Sequence, residues 1–90
     1  MNTAFLLMAQ FDGAAVIPVE DVCAKFFSHL TPGKFVQKIS MGEIALPLIR
    51  IDGASQKSAK GVHLLDLAAW IDRQRAAAKK ECEQLTGVKL

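Results

Sequence analysis

Thr31-Pro32 and Gly42 confine the middle of this chain to one short helix, and that confinement limits the architectures open to it more than any other feature. Thr31 offers a hydroxyl N-cap. Pro32 suits the first helical position, where its fixed φ is already helical and its missing N–H has no intrahelical partner to lose. Gly42 accepts the left-handed conformation of a helix exit. Within this helix Phe35 and Ile39 are four apart and face the preceding helix, which sends Lys34, Gln37, Lys38 and Met41 to the side or outward.

The stretch before it, AVIPVEDVCAKFFSHL, reads as a packing helix. Pro18 in a first-turn position, with Glu20 and Asp21 close behind, suits a helix N-terminus, and Val19, Val22, Cys23, Phe26 and Phe27 recur at spacings of three and four. Ser28-His29-Leu30 connects the two. The sequence therefore predicts a helix-turn-helix over about 18–42 whose second member presents long polar side chains.

After Gly42 the pattern turns to IALPLIRI, rich in β-branched residues, with Pro47 tolerated only on an edge strand. Asp52-Gly53 opens a polar, basic loop, ASQKSAKG, and Val62-His63-Leu64 can return as a second strand. Strand, loop and strand over about 44–64 have the composition of a wing. A last helix over about 64–86 follows, with Leu67, Trp70, Ile71 and Gln74 as its inner stripe and Gly87 at its exit. Beyond Arg75 a narrow apolar line continues through Ala78, Cys82 and Leu85, either as the surface of a homodimer or as one side of a solvated helix. At the other end, Asn2 or Thr3 can cap a helix through Phe11 that stops at Asp12-Gly13; a buried strand is the alternative for FLLMAQF. The expected fold is mainly α with a small β-hairpin: a single winged helix-turn-helix domain over 1–90 with an extended C-terminal helix.

Charge is unevenly spread. Residues 1–30 set Lys25 against Asp12, Glu20 and Asp21, whereas residues 31–61 set Lys34, Lys38, Arg50, Lys57 and Lys60 against Glu43 and Asp52. The positive charge of the middle third points to a polyanionic partner, with a solvated face as the plain alternative. No segment approaches the roughly 20 apolar residues that cross a bilayer. The FLLM run lacks a preceding Lys or Arg and is interrupted by Asp12, so it reads as core and not as a secretion signal. Cys23 and Cys82 form neither a C-x-x-C pattern nor a disulfide framework, and a reduced, cytoplasmic, soluble protein is expected.

Catalytic constellations are missing from the sequence. His29 and His63 have no metal-ligand spacing to either cysteine, Cys23 lies on a packed helix face, and there is neither a G-x-G-x-x-G nor a Walker A run. Neither enzymatic activity nor a metal or cofactor is expected.

IPVEDVCAKFF, TPGKFVQKISMGEIALPLIRI and VHLLDLAAWIDRQR together resemble the short winged-helix proteins related to excisionases and to the MerR-type headpiece. More narrowly, MNTAFLLMAQFDG, FFSHLTPGKF, GEIALPLIRI, SQKSAKGVHLLDLA and the KKEC tail are similar to the pyocin activator protein (PrtN) family over nearly the whole chain. That resemblance implies a transcriptional activator of bacteriocin or prophage genes that binds double-stranded DNA near a promoter and works with RNA polymerase. Excisionases often carry Arg at the second and third positions of the recognition helix, where this chain has Pro32 and Gly33. The nearest available readers are Lys34, Gln37 and Lys38, with Ser40 a weaker candidate.

Gln can bond adenine in a bidentate manner, and Lys can reach guanine O6 and N7 or a phosphate. The expected interface comprises Thr31, Lys34, Gln37 and Lys38 on the helix, Arg50 on the strand, and Gln56, Lys57, Ser58 and Lys60 in the loop. Arg50 has Asp52 and Glu43 as alternative ion-pair partners. Two rival functions are an excisionase-like protein that bends DNA and an adaptor or antirepressor that binds protein and no DNA.

Overall fold

In the computed structural model, which describes residues 2–52 and 59–90, the chain runs α1 (Thr3–Gln10), β1 (Val16–Pro18), α2 (Val19–Phe26), α3 (Pro32–Ser40), β2 (Ile49–Arg50), β3 (Lys60–His63) and α4 (Leu64–Thr86). The fold is mainly helical, with a small antiparallel sheet and a long C-terminal helix. The four expected helices are all present. The sheet has three strands and not two, in the order β1-β3-β2.

The additional strand is β1. Val16, Ile17 and Pro18 pair with His63, Val62 and Gly61, so Pro18 closes a strand and caps α2 from outside instead of sitting in its first turn. Pro18 tolerates this place because β1 is an edge strand, where a missing N–H leaves no ladder bond unmade. Glu20 and Asp21 do lie in the first turn of α2, near the positive end of its dipole.

The expected strand over 44–51 shrinks to β2. Residues 44–48 run over α4 instead: Leu46 is buried, and the carbonyl of Ala45 accepts a 2.8 Å hydrogen bond from Arg73 Nη2. The returning strand starts earlier than expected, at Lys60, and Leu64 already belongs to α4. His63 caps that helix, its Nδ1 accepting from the N–H of Leu65 at 3.0 Å.

Gly61 explains how closely β1 and β3 approach. A Cβ placed there would lie 2.6 Å from Val16 Cγ1 and 3.0 Å from the carbonyl oxygen of Ile17. At the other sheet edge Gly61 faces Ile49, and Arg50 faces Lys60.

The core gathers one or more residues from every helix and from β1 and β3: Leu7, Ile17, Val19, Val22, Cys23, Phe35, Val62, Leu64, Leu67 and Ala68, with Phe27 and Leu46 from connections. Phe27 ties three elements, stacking on Phe35 at a 4.6 Å centroid separation and meeting the half-buried Trp70 at 5.0 Å. Cys23 points its thiol at the carbonyls of Phe27 and Leu30, at 3.4 and 3.2 Å, which fixes the α2–α3 turn from inside. Gln74, expected on the inner stripe of α4, is exposed; the core-facing run of that helix ends at Ile71.

α1 starts as expected, with Asn2 Oδ1 accepting from the N–H of Ala4 at 2.7 Å. Its exit uses Asp12 at φ 54° as well as Gly13 at φ 75°. Asp is among the few non-glycine residues that visit this region readily.

Candidate nucleic-acid interface

The local chemistry of α3 is well determined at both ends. Thr31 Oγ1 accepts from the N–H of Lys34 at 3.2 Å, and its carbonyl accepts from Phe35 at 2.9 Å. At the exit the N–H of Gly42 bonds the carbonyl of Ile39 and the N–H of Glu43 bonds that of Lys38, at 3.0 and 2.9 Å. With Gly42 at φ 78°, these are the paired bonds of a Schellman motif.

Between these caps the helix is sharply two-sided. Phe35 is fully buried, and Val36 and Ile39 pack beside it against the core. The opposite side carries Lys34, Gln37 and Met41, all exposed, and the half-exposed Lys38. Spacings of three, four and seven place these four side chains on one stripe. Ser40 is exposed but lies off that stripe.

Lys38 carries a partner that sequence reasoning did not assign to it. Its Nζ lies 3.8 Å from Glu43 Oε1, with about half of each side chain in solvent (40% and 50%). The Schellman exit folds the chain back so that residue 43 lies over the last turn; the only sequence signal was Gly42 between the two charges. Glu43 therefore lowers the charge that the stripe presents.

Arg50 is exposed on β2, and Lys60 is half-buried beside it on β3. The expected loop residues Gln56, Lys57 and Ser58 lie outside the described residues. α2 touches both α3 and β3, and β3 carries β2, so the stripe and the strand pair are hung on one shared support. Gly61 belongs to that support and Arg73 braces the connection after α3 from α4; neither was singled out from the sequence. Only the close approach of two backbones gives Gly61 its importance.

Among the described residues no group of His, Cys, Asp and Glu is arranged to hold a metal ion, and no helix is long and apolar enough to cross a membrane.

The family model for pyocin activator protein PrtN matches residues 3–78. The chain belongs to this family. The match runs from α1 to the middle of α4 and so takes in α3, the strand pair and their support. The PrtN family is one of regulators rather than enzymes, and its description points to activation of pyocin genes. No curated protein and no solved structure matches the chain.

Proposed function

We propose that this PrtN-family chain is a sequence-specific DNA-binding activator of pyocin-like bacteriocin or prophage genes, acting from a promoter-proximal element together with RNA polymerase. α2 and α3 form its helix-turn-helix, and β2, β3 and the loop between them form its wing, within one domain. The observation that carries this reading is the outward stripe of Lys34, Gln37, Lys38 and Met41 on a helix capped at both ends and anchored by Phe35.

A helix so presented can enter a major groove, where Gln37 reads a base edge and Lys34 reaches guanine or phosphate. The exposed N-terminal turn at Thr31 adds backbone N–H groups for a phosphate. Arg50, Lys57 and Lys60, with Gln56 and Ser58, hold the neighbouring backbone. Positioning and reading are thereby divided between the wing and the helix.

The deciding experiment is selection of bound fragments from genomic DNA with the purified protein, followed by titration of the selected site. A site held at least about a thousandfold more tightly than bulk sequence is expected. No binding to any fragment at low salt overturns the proposal.

A further inference from the structure

We infer that two copies of this chain pair through the distal half of α4, antiparallel and centred near Cys82, with α1 of each copy covering the end of the other's helix. This surface is separate from the α3 stripe, and the inference does not rest on DNA binding.

The first observation is a stripe that outlasts its cover. Leu64, Ile71, Ala78 and Leu85 recur every seven residues on α4, and Leu67 and Cys82 lie on the same face. The core covers this face as far as Ile71. Beyond it Ala78 is exposed, Cys82 half-exposed and Leu85 79% exposed. The helix thus carries its core-facing pattern about 20 Å past the core, at 1.5 Å per residue. A heptad face of this kind fits another helix.

The second observation is α1. Its sequence, TAFLLMAQ, contains no charge and is apolar on every side, a composition that belongs to a buried helix. Only Leu7 is buried; Phe5, Leu6 and Met8 stand 62%, 53% and 47% exposed. α1 lies against α4 with its first turn beside the point where the uncovered stripe emerges. Thr3 Oγ1 bonds Asp72 Oδ1 at 2.6 Å, and Asn2 and Thr3 share a surface notch with Arg75, Ala76 and Lys79.

Area decides how these surfaces are used. The exposed parts of Phe5, Leu6 and Met8 come to on the order of 300 Å², well short of the roughly 800 Å² per partner in a stable interface. The distal face of α4, where Ala78 and Leu85 are exposed and Cys82 half-exposed, adds a further apolar strip to that area. A second copy supplies both surfaces at once, because a two-fold axis presents each copy's distal α4 to the other's.

Charge selects the direction. Lys79 and Glu83 lie one turn apart on one flank of the stripe, on either side of Cys82 in sequence. Antiparallel helices crossing at Cys82 set each Lys79 near the partner's Glu83. The same crossing carries the partner's Leu85 back towards the notch and Phe5.

Sedimentation equilibrium of the full chain at tens of micromolar tests this, since each copy weighs 9.8 kDa. A mass of twice that value is expected. Leu85→Glu and Phe5→Glu should each give a monomer whose far-UV circular dichroism and cooperative melting show an intact fold. Cys23 is buried, so mild oxidation reports on Cys82: the wild type should yield a disulfide-linked dimer and Cys82→Ser should not. A monomeric wild type, a Leu85→Glu variant that stays dimeric, or a dimer that does not cross-link through Cys82 overturns the inference.

Discussion

The guanidinium of Arg73 on α4 bonds the carbonyl of Ala45 at 2.8 Å, pinning the connection that leaves α3 to the long helix. Leu46, the next residue, is buried, so polar and apolar contacts fix the same segment. Arg73→Ala should lower unfolding free energy by about 1 kcal/mol, the usual net contribution of one such bond. Urea denaturation measures this. DNA affinity should fall with it, because α3 loses the restraint on its C-terminal side. Unchanged stability and unchanged affinity would show that the bond positions nothing.

Glu43 offers a gain-of-binding test. Pairs with this much solvent contribute little to stability, within about 1 kcal/mol, so Glu43→Gln should leave the melting temperature nearly unchanged. It releases Lys38 and removes a negative charge beside the stripe. Binding to any duplex at low salt should tighten several-fold, and the dependence on salt should steepen. A decrease in affinity would place Glu43, not Lys38, against the nucleic acid.

Reading and holding separate at Gln37 and Lys34. Gln37→Ala should cost about 1–3 kcal/mol at the selected site and little on scrambled duplex, with the salt slope unchanged. Lys34→Ala should weaken both duplexes and reduce the slope by about 0.9 if it neutralises one phosphate. Titrations of each variant over a salt series measure both effects. Equal loss on both duplexes for Gln37→Ala would remove its role as reader.

Gly61→Ala should destabilise the fold by about 1–3 kcal/mol, the range for forcing extra atoms into a packed place. The added methyl meets both Val16 and the Ile17 backbone, and the backbone oxygen cannot swing aside. Pairing this change with Val16→Ala should recover only the side-chain part. Thermal melts of the two variants make the comparison.

Three of the four helices were legible from their own punctuation, Asn2 before α1, Thr31-Pro32 and Gly42 around α3, and Gly87 after α4, and α2 from its apolar spacing and its acidic first turn. The outward stripe of α3 followed from Phe35 and Ile39 alone. β1 was not legible, since three residues before a helix carry no period, and Pro18 fits a strand end as well as a first turn. What makes it a strand is β3, which comes much later in the sequence. Residues 44–48 misled for a related reason: Ile44, Ile49 and Ile51 give the run IALPLIRI a strand-like look, but burial of Leu46 and the bond from Arg73 draw its first half onto α4. At the candidate site, the Lys38–Glu43 pair depends on the shape of a turn that spacing does not encode.

The pairing of Val16 with His63 also sets a timetable for the newly made chain. α2 and α3 are continuous in sequence and can wind as soon as they leave a ribosome, within microseconds. β1 then waits for β3, which has not yet been synthesised; Val62 arrives as part of that strand, and Leu64 and Leu67 follow directly behind it to close the core over Ile17 and Phe35. Such a distant pairing is slow to form because the ends of a long loop must meet before any contact rewards them. The support of α3 is thus completed late and in one step, as the final third of the protein emerges.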